Sequence, residues 1–297
     1  MRKTILYFFN LVVVVAIFAS CRKQVLPPVA GPDPEPPQQV PPPPPPKLVE
    51  TLPPVLTAIS DSISENIVGY YEALPARYTE SKETYPVIID IHGGGQYGDG
   101  STQLWKVLQF GIPKLLDQKK FPPSFTVNNE RFSFIVIAPQ LKDVVVNAEM
   151  LNLLNYVKGK YRVDTNRIYL TGSSLGGRQV ANYAGFRAEP FAAMVTFGGL
   201  PQINEELAEK CRTIADSDLP VWHFHNRPDE AWPYAEAEEY IRVLRSFNPK
   251  TPPIFTTFET GEGKSMHDCW TRGTNPEYKE NGKNVYEWML GYTKNGD

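Results

Sequence analysis

The pentapeptide Gly-Ser-Ser-Leu-Gly at 172–176 has the residue types and the spacing of an exposed serine nucleophile, with Ser174 at its centre. The apolar, β-branched run before it, at 167–171, predicts a buried strand, and the run after it, at 177–184, predicts a helix. A sharp strand-to-helix turn lifts the central serine out of the sheet, and small glycines permit the strained backbone. The pattern alone is equally compatible with a simple turn and with a nucleophile. Its position between a strand and a helix predicts that Ser174 is a nucleophile.

A serine hydroxyl also needs a general base to take its proton, and the base needs a third group that orients it. The four histidines of the chain are His92, His223, His225 and His267. Only His267 follows the last predicted strand, at 253–259, on a loop before the closing helix, so we predict that it is the base. The pair at 223 and 225 shares one face of a predicted strand, and no third ligand accompanies it at a fitting spacing. We expect structural roles for that pair and no metal site.

The acid of such a triad is expected on the loop after the strand that ends at His225, because chain order then runs serine, acid, histidine. Asp229 is the first choice for this acid, and Glu230 is the second. Asp216 and Asp218 precede the strand, so they would lie at the opposite edge of the sheet. The alternative for each of these carboxylates is an ordinary surface position.

The oxyanion that forms on attack needs two backbone donors held in place. One donor is expected to be the N–H of Leu175, the residue after the nucleophile. The other is expected from the glycine-rich loop at 92–98. The sequence does not distinguish between Gly94 and Gly95 as this donor. A phosphate-binding loop would carry Lys followed by Ser or Thr after the glycines, and this loop does not.

The elements that must position these residues alternate along the chain. Apolar runs predict strands at 67–75, 86–91, 134–138, 167–171, 191–197, 220–225 and 253–259. Helical spacing predicts helices at 104–119 (kinked or divided at Pro113), 148–161, 177–184, 205–212, 234–247 and 285–292. The strands are apolar on both faces, which is typical of a parallel sheet covered by helices on both sides. The predicted fold class is therefore α/β.

The first residues are typical of a targeting segment rather than of a fold. A positively charged start precedes an apolar run at 5–19 that is too short to span a bilayer comfortably. Small residues then precede Cys21, which resembles the bacterial lipoprotein processing site, where the cysteine becomes the lipidated N-terminus. Phe18 departs from that site, which usually has an aliphatic residue there. The alternative is an ordinary signal peptide with an incidental cysteine.

A proline-rich segment at 22–54, with six consecutive prolines at 41–46, separates this leader from the rest of the chain. Proline has a fixed φ and no N–H, so the segment is expected to be extended polyproline II. At ~3.1 Å per residue it could hold a domain up to roughly 100 Å from an anchor, and the alternative is a disordered tail. The predicted organisation is a signal peptide at 1–20, a lipidated cysteine and linker at 21–60, and a catalytic domain at 61–297.

Composition bounds the remaining possibilities. A chain of 297 residues with 41% hydrophobic residues can form one domain with a substantial core. A net charge of −3 leaves no electrostatic footprint for nucleic acid. An exported protein meets an oxidising compartment, so Cys211 and Cys269 could pair, and two buried free thiols are the alternative.

The segment from about 69 to 292 resembles the α/β-hydrolase superfamily, and most closely its secreted esterase and "predicted peptidase" branch. The resemblance is carried by the loop at 92–99, the segment at 164–177, the strand at 221–225 with Asp229 after it, and the tetrapeptide at 267–270. It implies a three-layer αβα fold with a mostly parallel central sheet. It also implies that Ser174, Asp229 and His267 are nucleophile, acid and base, and that no cofactor is needed.

Two positions depart from that family, and two tryptophans bear on the substrate. Asn226 stands where the family often has Gly, and Gln96 stands where it often has Glu.

Trp232 and Trp270 follow the predicted acid and base on loops that should ring the site. With Gln96 they are candidate substrate-binding residues that could stack on a sugar or an aromatic acyl group, and packing of the loops is the alternative. No large apolar cap is apparent, which favours a small or carbohydrate-linked ester.

These patterns together predict an exported serine esterase. It would be lipid-anchored to the outer membrane of a bacterium and would face the periplasm or the cell surface. Its partners would be an ester substrate, free or linked to a polysaccharide, and the membrane through the lipid on Cys21. A serine peptidase or amidase with the same triad is the second hypothesis. A non-catalytic binding protein on this fold is the third.

The lipoprotein hypothesis can be tested by removing the thiol that would carry the lipid. We expect Cys21→Ala to move the protein from the membrane fraction to the soluble fraction, because the acyl chains would have no attachment point. Fractionation and immunoblotting of the wild type and the variant measure this. A variant that still sediments with membranes would contradict lipidation at Cys21.

Overall fold

The computed structural model describes residues 49–262 and 265–294. The predictions made for the leader, for Cys21 and for the run of six prolines lie outside these residues. Within the described ranges, no helix has both the length and the apolar character that crossing a bilayer requires.

Strands and helices alternate through most of the described chain, as the sequence predicts. The strands are β1 (Val55–Ile59), β2 (Ile67–Leu74), β3 (Tyr85–Ile91), β4 (Phe125–Val127), β5 (Glu130–Phe132), β6 (Ile135–Leu141), β7 (Val163–Ser173), β8 (Ala193–Phe197), β9 (Val221–Asn226) and β10 (Ile254–Phe258). The α-helices are α1 (Gly111–Asp117), α2 (Asn147–Lys160), α3 (Leu175–Phe186), α4 (Leu207–Asp216), α5 (Tyr234–Ser246), α6 (Trp270–Gly273) and α7 (Val285–Leu290).

An eight-stranded sheet in the order β1-β2-β6-β3-β7-β8-β9-β10 forms the centre, and β4 and β5 form a separate hairpin. All neighbouring pairs from β6 to β10 are parallel, whereas β2 is antiparallel to both β1 and β6. The predicted class, α/β with a mostly parallel sheet, is confirmed. Strand β1 lies in the segment predicted to be linker, so the sheet begins at Val55 rather than after residue 60.

Both faces of the sheet are covered, which is why its strands are apolar at successive positions. In β3, Val87 and Ile89 belong to one buried cluster and Ile88 between them belongs to another, since strand side chains alternate between faces. The first cluster includes apolar side chains of α2, α3, α4 and α5. The second includes those of α1, α7 and the β4–β5 hairpin. The result is the predicted three-layer arrangement.

The segment predicted as one helix at 104–119 is divided, but the break precedes Pro113. A 3₁₀ helix at Leu104–Gln109 ends before Phe110, and α1 begins at Gly111, whose φ is +61°. Pro113 then lies in the first turn of α1, where a missing N–H costs no hydrogen bond. The positive φ of Gly111 therefore separates the 3₁₀ helix from α1.

The carboxyl ends of the central strands meet at one edge of the sheet. Parallel pairing aligns Ile91 with Gly172, and Ser173 with Phe197. It also aligns the last residue of β9, Asn226, with Phe258 of β10. The loops that carry the predicted oxyanion glycines, Ser174, Asp229 and His267 therefore all leave the sheet at this edge, which is where ligands bind in open α/β sheets.

The start of α3 packs so closely on this edge that one glycine there tolerates no side chain. A Cβ on Gly176 would lie 1.9 Å from the carbonyl oxygen of Ile91, whereas a Cβ on Gly159, in the exposed last turn of α2, would meet nothing within 4 Å. We expect Gly176→Ala to lower the free energy of unfolding by about 1–3 kcal/mol through overpacking. The matched control Gly159→Ala should change it by no more than about 1 kcal/mol, in the stabilising direction. Urea unfolding followed by tryptophan fluorescence measures both, and equal effects of the two substitutions would contradict the close packing.

Candidate active site

Ser174 lies at the turn between β7 and α3, and its backbone is strained. Its φ of 55° and ψ of −123° fall in a region that residues with a side chain rarely adopt. Its N–H donates to the carbonyl of Phe197 at 2.8 Å, and a Cβ on Gly199 would lie 1.9 Å from the carbonyl oxygen of Ser174. Backbone from β8 and the loop after it therefore holds the serine in this conformation.

The structure brings Ser174, His267 and Asp229 into one continuous hydrogen-bonded chain. His267 Nε2 is 2.8 Å from Ser174 Oγ, and His267 Nδ1 is 2.7 Å from Asp229 Oδ2. The second carboxylate oxygen, Oδ1, accepts the N–H groups of Ala231 and Trp232 at 2.9 and 3.0 Å. The carboxylate thus orients the imidazole so that Nε2 can receive the serine proton, which is the geometry of a Ser-His-Asp triad.

The loop that carries His267 is tied to the strand that carries the acid. The amide of Asn226, at the end of β9, donates from Nδ2 to the carbonyl of Met266 at 2.8 Å. The N–H of Asp229 donates to the carbonyl of Asn226 at 3.3 Å. Asn226 is one of the two positions that depart from the resembled family, and here it links the two loops. Glu230, the second choice for the acid, is exposed.

The histidine pair of β9 is buried behind the acid. His225 donates from Nε2 to the carbonyl of Trp232 at 2.9 Å, and the same nitrogen is 3.5 Å from Asp229 Oδ2. His223 Nδ1 lies 2.8 Å from Thr196 Oγ1. Burial lowers the pKa of both imidazoles, which favours their neutral forms. Within the described ranges, no three His, Cys, Asp or Glu side chains are arranged to hold a metal ion.

The two predicted sources of oxyanion donors face the same cleft. Leu175 is the first residue of α3, and Gly94 is the first of a 3₁₀ helix at Gly94–Gln96, so neither N–H has an acceptor within its own helix. A Cβ on Gly94 would lie 2.6 Å from Leu175 Cδ1, whereas a Cβ on Gly95 would meet nothing within 4 Å. Gly94 thus lies against the Leu175 side chain, and because Gly94 and Gly95 both line the cleft at Ser174, both remain candidates for the second donor.

Two buried side chains brace the glycine-rich loop against β6. His92 donates from Nδ1 to the carbonyl of Gly93 at 2.7 Å and accepts the N–H of Leu141 on Nε2 at 2.9 Å. Gln140 donates to the carbonyls of Gln96 and Gln103 at 2.9 and 2.7 Å. Gln140 was not among the predicted site residues, although a glutamine inside the otherwise apolar strand β6 is a signal for a buried polar contact.

Two cavities meet at Ser174, and their common walls are Gly94, Gly95, Ser174 and His267. The smaller cavity, of about 190 Å³, is more enclosed. Its other walls are Gly93, Gln96, Phe110, Ser173 and Trp270. The larger cavity, of about 530 Å³, is an open cleft. Its other walls are Leu175, Arg178, Ala231, Trp232, Pro233 and Glu236.

The three candidate substrate-binding residues divide between these cavities. Gln96 and Trp270 line the small pocket, and the Trp270 ring packs edge-on against His267 with centroids 5.0 Å apart. Trp232 lines the open cleft, and the guanidinium of Arg178 covers its ring at 3.7 Å from the centroid. Each tryptophan is only 8% exposed. Both therefore pack the loops onto the domain as well as lining a cavity, and Arg178 is a cleft residue that sequence analysis missed.

Cys211 and Cys269 are both buried free thiols. They do not form the disulfide that an oxidising compartment would have allowed. Cys211 is buried in α4 within the first core cluster. Cys269 is buried two residues after His267, with its Sγ 3.5 Å from the carbonyl oxygen of Phe224.

Comparison with known proteins supports the fold. No protein-family model matches the chain, and no curated protein matches it. Among solved structures, a thermostable esterase superposes on 81% of this chain with a TM-score of 0.55 and 19% identity, and this chain spans only 63% of its length. FphF, a fluorophosphonate-binding serine hydrolase of Staphylococcus aureus, superposes on 69% of this chain and 90% of its own, with a TM-score of 0.51 and 13% identity. Identities this low show a shared fold, and the predicted fold is confirmed.

The brace formed by His92 should make stability depend on pH. Burial lowers the pKa of His92 from 6.5 to about 4, so between these values the unfolded chain binds a proton that the folded chain does not. This contribution to stability is present above pH 6.5 and is lost as the pH falls toward 4. From pH 7 to pH 5 the wild type should lose about 2 kcal/mol more stability than His92→Asn, which lacks the titrating ring.

Urea unfolding of both proteins at the two pH values measures this difference. The buried carboxyl of Asp90, whose pKa burial raises to about 6, has the opposite dependence but is present in both proteins, as are His223 and His225. Their effects cancel in the comparison. Identical losses for wild type and variant would show that His92 is not held neutral in the fold.

Proposed function

We propose that this chain, which has the α/β-hydrolase fold, is a serine hydrolase that cleaves carboxylic esters through Ser174, His267 and Asp229. The observation that carries the proposal is the unbroken hydrogen-bonded chain from Asp229 to Ser174, with links of 2.7 and 2.8 Å, at a strained turn. A turn with only a structural role would have no reason to hold an imidazole and a buried carboxylate in line with its hydroxyl.

In the proposed reaction, Ser174 Oγ attacks the ester carbonyl carbon while His267 Nε2 takes its proton. The carbonyl oxygen becomes an oxyanion, which accepts the N–H groups of Leu175 and of either Gly94 or Gly95 and is further favoured by the N-terminus of α3. His267 then returns the proton to the alcohol oxygen as the carbon–oxygen bond breaks, and an acyl group remains on Ser174. Water attacks this acyl-enzyme by the same route in reverse, with His267 again as base, and the carboxylic acid leaves. Asp229 keeps its charge throughout and stabilises the imidazolium.

The two cavities support a division of the substrate into a small acyl part and a larger alcohol part. A cavity of about 150 Å³ holds a benzene molecule, so the pocket of about 190 Å³ has room for a small acyl group. The open cleft of about 530 Å³ can accept an alcohol that extends into solvent. We infer that the substrates are small acyl esters of larger alcohols, such as acyl groups on polysaccharides.

The same proposal includes the site of action. The sequence at 1–21 supports export and lipidation on Cys21, and the proline-rich segment supports a spacer between that anchor and the hydrolase domain. An enzyme held at a bacterial membrane surface in this way would meet polymeric or exported esters.

A panel of substrates tests the proposed reaction against its two alternatives. We expect turnover of p-nitrophenyl acetate, methyl ferulate or acetylated xylan, and Ser174→Ala should lower kcat/KM at least about 10⁴-fold because the nucleophile is gone. A fluorophosphonate probe should label the wild type and Ser246→Ala, whose serine is exposed on α5, but not Ser174→Ala.

The other outcomes of the panel separate the alternatives. Faster turnover of a peptide amide than of every ester would favour a peptidase or amidase. Turnover by the wild type no faster than by Ser174→Ala, without labelling of Ser174, would overturn the hydrolase and favour a binding protein.

A further inference from the structure

Arg178 places a positive charge in the open cleft beside Ser174, one helical turn further along α3. Its guanidinium lies over the ring of Trp232, with Cζ 3.7 Å from the ring centroid. Trp232 is itself fixed, because its N–H donates to Asp229 Oδ1 and its carbonyl accepts from His225. The contact with this fixed ring restrains the guanidinium, whose N–H donors form a planar fork.

The guanidinium makes no salt bridge within the part of the chain that the structure describes. Its Nε is buried without a hydrogen-bond acceptor, and no described carboxylate oxygen lies within 4 Å of it. Glu236 lines the same cleft and acts on the guanidinium electrostatically without a salt bridge. It also lies in the first turn of α5, where the helix N-terminus favours a negative charge. Donors of Arg178 therefore remain available to a ligand.

The position of Arg178 on its helix also indicates a role outside the fold. It lies at the N-terminal end of α3, which carries the positive end of the helix dipole, and a cation there does not stabilise the helix. Together, Arg178 and the helix end place positive charge on the α3 side of the cleft. Guanidinium donors match the two oxygens of a carboxylate better than they match any neutral group.

We propose that Arg178 binds a carboxylate on the alcohol part of the substrate, so that the preferred substrates are acyl esters of acidic alcohols such as uronic-acid residues. The assignment to the alcohol part follows from the cavities, because Arg178 lines the open cleft and not the small pocket. The inference rests on the proposed ester hydrolysis and adds a specificity-determining residue to it. The carboxylate would hold the scissile ester over Ser174, and the ion pair would form away from the reacting atoms.

A matched pair of sugars tests this inference. The 3-O-acetyl methyl glycosides of galacturonic acid and galactose differ only in a carboxylate in place of a hydroxymethyl group. We expect the wild type to release acetate from the acid with the higher kcat/KM. Arg178→Gln should lower the acid-to-neutral ratio of kcat/KM by about 10- to 100-fold, the effect of removing a charge-assisted hydrogen bond. Arg178→Lys, which keeps the charge without the fork, should give an intermediate ratio.

Two further variants separate local recognition from a change in net charge. Glu236→Gln should raise the ratio, because it removes the negative charge that shares the cleft. Arg242→Gln should leave the ratio unchanged, since Arg242 is exposed and paired with Glu239 on α5. O-acetyl-lactate and O-acetyl-lactamide provide a second matched pair. Selectivity for the acid in this pair alone would identify the alcohol part of the substrate as a hydroxy acid rather than a sugar acid.

The outcomes distinguish this inference from the function on which it rests. Equal kcat/KM for the two sugars and for the lactate pair, or an unchanged ratio in both Arg178→Gln and Glu236→Gln, would overturn carboxylate binding while leaving ester hydrolysis intact. Acetate release no faster than by Ser174→Ala from any of these esters would instead overturn the proposed hydrolysis. Thermal unfolding of each variant shows whether it is folded, and Glu236→Gln remains informative if Arg178→Gln is not.

Discussion

The close approach of the α3 N-terminus to the ends of β3 and β8 is the constraint on which the site depends. Gly176 packs against the carbonyl of Ile91, and Gly199 packs against the carbonyl of Ser174. These contacts leave no room for the turn to relax, so Ser174 keeps a positive φ and its hydroxyl stays at the surface of the cleft. The same packing brings Leu175 against the glycine-rich loop. A loose turn would disrupt the geometry of the proposed nucleophile and of the proposed oxyanion site together.

Asp229 is the second point at which several features meet. One oxygen orients His267, and the other accepts two backbone N–H groups that set the course of the loop through Trp232. That loop in turn carries the ring on which Arg178 stacks. Asp229, the proposed catalytic acid, and the wall of the open cleft are therefore parts of one hydrogen-bonded unit. Because a buried carboxylate with missing partners is costly, this unit is held in one arrangement.

The sequence was sufficient for the parts of the structure that follow from topology. The carboxyl ends of parallel strands share one edge, so the order of Ser174, Asp229 and His267 along the chain was enough to predict that they meet. Contacts between distant segments were not predictable, because nothing local to Gln140 points to the loop that it braces. The same holds for Asn226, whose partner, Met266, belongs to the loop of His267.

Weak local patterns explain the remaining differences. Strand β1 follows a pair of prolines and is mostly exposed, so it lacks the alternation that marks a half-buried strand. The β4–β5 hairpin turns at Asn128 and Asn129, whose φ values of 52° and 64° suit a type I′ turn. Its strands are three residues long, which is too short for a periodic signal.

An acidic substrate of this negatively charged chain would need a positive charge close to the reacting serine. The net charge of −3 would weakly repel an acid at long range, but at physiological salt that repulsion is screened beyond about 8 Å. Inside the cleft, Arg178 is partly removed from water, and its interaction with a carboxylate is screened much less. Selectivity for an acid would therefore come from one stacked guanidinium close to Ser174, and electrostatic steering by the whole protein would contribute little.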